Sequence, residues 1–145
     1  MKISEPNEGL METILSLSPQ AIFDGTLGEA RPTIEKIRQL IQSLLDKGCF
    51  YLAATEGDQL LGWVLLGIGK DQFTDEKNVF IYELFVLKEF RGNGYAKVLM
   101  DAAISHFQKE GYAEVRLSAK AENFAVKLYE NLGFQTRTIS MSLKL

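Results

Sequence analysis

Three stretches carry residue types whose spacing has chemical meaning. The run Arg91-Gly92-Asn93-Gly94-Tyr95-Ala96 places two glycines between a β-rich stretch, Val79 to Leu87, and a helical pattern that starts at Tyr95. Glycines let a backbone approach an anion, and the first N–H groups of a helix lack intrahelical partners at the positive end of its dipole. Strand, glycine turn and helix start together form a phosphate-binding arrangement. Glu83 is the one carboxylate in the otherwise apolar run Tyr82-Glu83-Leu84-Phe85-Val86, where burial raises a carboxyl group toward a useful basic range. Neighbouring strand side chains point to opposite faces, so either Tyr82 or Glu83 faces a substrate, not both. Tyr129 is a phenol in Leu128-Tyr129-Glu130-Asn131-Leu132-Gly133-Phe134, and its plainer reading is packing beside Leu128 and Phe124.

Composition limits what these residues serve. A chain of 145 residues fits one domain, residues 1–145, large enough to bury a core without staples. Apolar content of 46% and charged content of 24% are those of a globular protein. The single cysteine, Cys49, excludes an internal disulfide and a Cys-rich zinc site, and a reducing cytoplasm is the simplest compartment. With His106 as the only histidine, neither a histidine metal site nor a serine–histidine triad is expected. A net charge of -3 argues against nucleic acid as the main partner and permits a cationic substrate. No membrane span is expected, and Met1 to Leu15 does not read as a signal peptide.

The elements that must position the three stretches follow from periodicity. Met1 to Ile3 reads as a short edge strand. Leu10, Met11, Ile14, Leu15 and Leu17 predict a first helix from Pro6 to Leu17, ended by Ser18-Pro19-Gln20, with a loop over Ala21 to Arg31. Pro32 and the face Ile34, Ile37, Leu40, Ile41, Leu44 and Leu45 predict a second helix, stopped at Gly48. Cys49–Thr55 and Gln59–Ile68 form a hairpin around Glu56-Gly57-Asp58. After a polar loop with Asp71, Asp75 and Glu76 comes the Val79–Leu87 strand, then a helix from Tyr95 to Glu110. Ala113–Ser118 reads as a strand. Asn123 is a candidate N-cap for a last helix that stops at Gly133, and Phe134–Leu145 reads as one or two final strands. Cys49 reads as core, Trp63 as core or as a wall of the acceptor cleft, and His106 as helix surface or rim.

The segment RGNGYA fits the R/Q-x-x-G-x-G/A signature of the GNAT superfamily of N-acetyltransferases. It follows the strand YELFVLKEF and precedes the helix AKVLMDAAI. Downstream, AENFAVKLYENLGF resembles the family's second block, an asparagine followed by L-Y-x-x-x-G-F. Cys49 to Leu145 resembles the family closely, and the N-terminal helices resemble it only in type. A dinucleotide fingerprint fits poorly, because Lys97 occupies the third glycine position, and no G-K-[ST] exists for a P-loop.

This resemblance implies an α/β, GNAT-like single-domain fold. Its mixed, mostly antiparallel sheet would have six to seven strands flanked by about four helices. It implies acetyl-CoA as donor and no metal. The backbone of Leu84, Phe85 and Val86 would pair with the pantetheine arm, and Arg91, Gly92, Asn93, Gly94, Tyr95 and Ala96 would hold the pyrophosphate. Asn123 would touch the cofactor arm or serve only as an N-cap. The Leu84 N–H would polarise the thioester, if a bulge or splay leaves it unpaired. Tyr129 would protonate the leaving thiolate. Glu83 would deprotonate the amine, with water-mediated deprotonation the alternative. Phe23 to Glu29 would border the acceptor. The expected activity is direct acetyl transfer to a primary amine in a ternary complex. The acidic balance leans toward a small cationic acceptor over a protein, and a homodimer through the C-terminal strands fits the family. The rival reading is a catalytically silent module that binds CoA or acetyl-CoA as a sensor or scaffold.

Overall fold

A computed structural model describes residues 1–145. The element order is β1 (Lys2–Ser4), α1 (Glu8–Gly25), α2 (Ile34–Asp46), β2 (Phe50–Glu56), β3 (Gln59–Lys70) and β4 (Lys77–Val86). A short 3-10 turn (Lys88–Phe90) leads to α3 (Tyr95–Lys109), β5 (Val115–Leu117) and α4 (Ala125–Asn131). The sheet has five strands in the order β1-β2-β3-β4-β5, all antiparallel neighbours except the parallel pair β4–β5. One core lies between the sheet and α1 with α2, built on Ile14, Tyr51, Trp63 and Leu65. The other lies on the α3 side, built on Val64, Leu66, Leu99, Met100 and Phe107.

Five strands replace the expected six to seven. The segment Phe134–Leu145 forms no strand, because a strand exists only through a partner ladder and this segment has none. Its alternating Ile139, Met141, Leu143 and Leu145 are all exposed. The first helix does not stop before Pro19 but runs through it to Gly25. Its buried face, Ile14, Leu15, Ser18 and Ala21, continues across the proline, and the Ser18 hydroxyl donates to Ile14 O at 2.7 Å. Tertiary packing of that face outweighs a proline cost of about 3 kcal/mol. The loop expected over Ala21–Arg31 is therefore helical in its first part. Thr33 caps α2, its side chain accepting from the Lys36 N–H. Asn123 is not the N-cap of α4: Phe124 holds that place, and the Asn123 side chain accepts from the Ala125 N–H at 2.9 Å.

Two irregularities of register matter for the site. Between β2 and β3, pairing steps from Thr55↔Leu60 to Ala54↔Gly62, leaving Leu61 as an extra residue. Between β3 and β4 it steps from Leu66↔Ile81 to Leu65↔Glu83, leaving Tyr82 as a bulge. β4 also loses its other neighbour early, because pairing with β5 covers only Val79↔Val115 to Ile81↔Leu117.

Candidate active site

Past Ile81 the strands β4 and β5 part, and a cleft of about 970 Å³ opens between them. Its floor is β4 from Ile81 to Val86. One end is the glycine turn and the start of α3, and its walls are the end of α1, the segment after β5, and α4.

The direction of the β4 backbone groups follows from two hydrogen bonds. Leu87 N–H donates to Leu61 O on the β3 side, and Val79 N–H donates to Glu114 O on the β5 side. Alternation from Leu87 directs Phe85 N–H to β3, and Leu84 and Val86 to the open side. The bulge at Tyr82 reconciles this with Val79. The Arg91 Nε–H donates to Val86 O at 2.8 Å, which places that carbonyl on the same side. The splay that would leave Leu84 N–H unpaired by β5 is thus present, and a backbone edge from Leu84 to Val86 faces the cleft.

The glycine turn lies at the cleft's end. Gly92 and Gly94 both have a φ of 82°, a left-handed conformation that a side chain disfavours. A Cβ on either would meet nothing within 4 Å, so the turn is open to a ligand rather than packed. Gly94 is the N-cap of α3 and offers no capping side chain, so the first N–H groups of that 15-residue helix stay free. An edge with backbone donors and acceptors, joined to an anion-binding helix start, fits the pantetheine arm and diphosphate of acetyl-CoA.

Arg91, Gly92, Gly94, Tyr95 and Ala96 line this end. Asn93 does not: its side-chain amide turns back to Phe90 O at 2.9 Å. The Arg91 guanidinium lies 5.2 Å over the Phe85 ring and pairs with Asp24 of α1 at 3.0 Å. It thereby ties the end of α1 to the turn. Lys120, after β5, pairs with Glu29 across the cleft mouth. Asp24 falls within the segment Phe23 to Glu29 expected to border the acceptor, whereas Lys120 has no signal in the sequence, because a surface charge does not reveal a distant partner.

Glu83, Asn123 and Tyr129 line the same cleft. Burial pushes the Glu83 carboxyl up from the ordinary range, against the opposing pull of a hydrogen bond from the Trp63 indole N–H at 2.5 Å. Tyr129 is half-buried, and burial raises its phenol above the ordinary value, so it keeps its proton at neutral pH. The expectation that only one of Tyr82 and Glu83 faces this side is corrected. Glu83 meets Trp63 in the core under α1 and α2, and Tyr82, though 44% exposed, reaches buried Cys49 on the same face. The bulge at Tyr82 breaks the alternation and turns both side chains to one face. Ile22 and the run from Asp24 to Leu27 line the cleft as well, within the segment expected to border an acceptor.

The family model described as "Acetyltransferase (GNAT) family" matches residues 16–134. The chain belongs to the GNAT family and is an acetyltransferase; acetyl-CoA-dependent N-acetyl transfer is general for that family. No curated protein matches the chain in sequence. Among solved structures it is similar to a Pyrococcus furiosus protein provisionally named an acetyl transferase, at 23% identity, covering 99% of each chain with a TM-score of 0.78. It is also similar to the ribosomal-protein-alanine N-acetyltransferase of Brucella melitensis biovar Abortus 2308, at 19% identity, covering 100% of each chain with a TM-score of 0.75. An acetyltransferase of Trypanosoma brucei shares 20% identity over 99% of each chain, with a TM-score of 0.67. At these identities the likeness is one of fold.

Proposed function

We propose that this protein moves acetyl from acetyl-CoA directly to a primary amine in a ternary complex, with no covalent enzyme intermediate. The observation that carries the reading is the meeting of four features in one cleft: the open β4 edge, the glycine turn, Glu83 and Tyr129. Glu83, whose carboxyl is raised by burial, takes a proton from the acceptor ammonium and frees the nitrogen lone pair. The Leu84 N–H donates to the thioester oxygen as negative charge develops there. The new C–N bond forms as the C–S bond breaks, and Tyr129 gives its proton to the departing thiolate. Solvent returns that proton to Tyr129 and removes the one on Glu83.

Leu84, Phe85 and Val86 hold the pantetheine arm by backbone pairing, and the turn from Arg91 to Ala96 holds the diphosphate. Asn93 contributes through the turn's backbone. Asn123 borders the arm while also bonding to Ala125. Arg91 acts through its hold on the turn and through its charge.

A small cationic amine is the favoured acceptor, supported by the chain's net charge of -3; Asp24 and Glu29 themselves are paired with Arg91 and Lys120. A protein N-terminus is the second acceptor class, prompted by the name of the Brucella neighbour. The test is CoA thiol release from acetyl-CoA with a panel of polyamines, amino acids, aminoglycosides and N-terminal peptides. Stimulation by one class identifies the acceptor. Tight acetyl-CoA binding with no stimulation by any amine supports the silent sensor or scaffold instead.

A further inference from the structure

Glu83 rests on two polar aromatic groups. Trp63 and Tyr51 are 0% and 2% exposed. The Trp63 indole N–H is satisfied by the Glu83 carboxyl group. The Tyr51 hydroxyl is the only buried side-chain polar atom without a hydrogen-bond partner. Phenylalanine would fill the same volume without stranding a hydroxyl in an apolar layer.

The register brings these groups together. Tyr51, Leu65 and Glu83 stand opposite one another across β2, β3 and β4 and therefore share a face. Trp63 lies two residues from Leu65 on the same face, opposite Phe85. The Tyr51 phenol is raised by burial and, beyond that, by the charge of Glu83, consistent with the face they share. α1 and α2 cover this face with apolar Ile14, Ala21, Ile41 and Leu44. The other groups there that titrate are Tyr82 and Cys49, which contact each other. Asp24 and Arg91, at the cleft wall, are paired.

We propose that Tyr51 and Trp63 are positioning residues for Glu83: the indole N–H fixes one carboxyl oxygen, and the Tyr51 hydroxyl donates to the ionised carboxylate. Neutral Glu83 is content with one donor. Once ionised it is a buried charge with few neighbours to stabilise it, and a second donor on the same face, otherwise unpartnered, favours that form. Held from below by two donors, the carboxylate keeps its remaining lone pairs toward the cleft. The inference rests on the reading of Glu83 as the base and deepens it.

Trp63 is the only tryptophan, so its indole N–H resonance reports on Glu83 without an identified acceptor. The experiment is a pH titration of that resonance by NMR in the wild type, Tyr51→Phe and Glu83→Gln. Glu83→Gln should abolish the inflection. Tyr51→Phe should move it upward by about one pH unit, roughly a tenfold weaker acid, as expected for one lost hydrogen bond to a charged group. An inflection unmoved in Tyr51→Phe, or one that persists in Glu83→Gln, overturns the proposal. Turnover with the best amine separates the underlying reading. If Glu83→Gln turns over like the wild type while the resonance behaves as predicted, the cluster exists but serves no base, and the positioning role falls with it. If Glu83→Gln is slow but Tyr51→Phe leaves the inflection in place, the base stands and only the positioning role is overturned.

Discussion

Replacing Tyr129 with phenylalanine isolates the proposed proton donor. The ring packs at 5.9 Å from Phe134 in an edge-on arrangement, and phenylalanine keeps that contact. Folding stability should change by less than about 1 kcal/mol, the net worth of an ordinary hydrogen bond. Burial raises the wild-type phenol, so its proton is present throughout the neutral range. Removing a general acid costs about 10²- to 10⁴-fold in rate. At 1.36 kcal/mol per decade that is about 3 to 5 kcal/mol of barrier. The loss should fall on kcat, while the Kd for acetyl-CoA holds within about threefold, since the arm is gripped by β4 backbone rather than by the phenol. The assay is CoA thiol release at saturating amine, run beside calorimetric titration with acetyl-CoA and a thermal melt. A kcat within about threefold of wild type would refute the role of Tyr129. An equal loss in kcat and acetyl-CoA affinity would make it a packing residue.

Glu83→Gln should show a stability difference that depends on pH. Because the folded carboxyl is raised, the folded state binds more protons than the unfolded one, and wild-type stability falls as pH climbs from about 4.3 through the folded value. The variant lacks this loss, so its melting temperature should gain on the wild type between about pH 4 and neutral; a variant that instead loses ground to the wild type over that range would contradict the burial argument. Gly62→Ala tests the β3–β4 contact beneath the cofactor edge. Its Cβ would fall 2.5 Å from Phe85 O and 3.1 Å from the Val86 Cα, both backbone. Overpacking of this kind costs about 1–3 kcal/mol, which lowers the melting temperature by roughly 3–10 °C and should weaken acetyl-CoA binding in step. Unchanged melting and binding would show that the edge does not depend on this contact.

What could be read from sequence was local chemistry. The glycine turn and α3 follow from short-range rules, and α3 begins at Tyr95 as its pattern predicts. What could not be read needed a distant partner. Pro19 reads as a stop, yet the face from Ile14 to Ala21 is buried on both sides of it. Ile139 to Leu145 alternate like a strand, but alternation describes a face and supplies no neighbour for the backbone. The bulges are the sharpest case. Counting outward from the turn after Glu56 would set Tyr51 opposite Val64, and the extra residue Leu61 sets it opposite Leu65 instead. One residue of slip decides which face a side chain takes, so the alignment of Tyr51 with Glu83 depends on two bulges without a local signature. Trp63 reads correctly as core, but its hydrogen bond to Glu83 becomes visible only once that register is known.

The most direct test of the central claim is calorimetric titration with acetyl-CoA of the wild type and of Gly94→Glu. A Cβ at Gly94 would meet no protein atom within 4 Å, so the fold should survive with a strain of about 1–2 kcal/mol from its left-handed backbone. The new carboxylate would stand where the diphosphate is expected. At about 5 Å and an effective dielectric of about 20, like charges repel by roughly 3 kcal/mol, or about a hundredfold in affinity. The account predicts tight wild-type binding that is weakened at least about a hundredfold in a variant with an unchanged circular dichroism spectrum. Equal binding by both proteins, or none by the wild type, would contradict it.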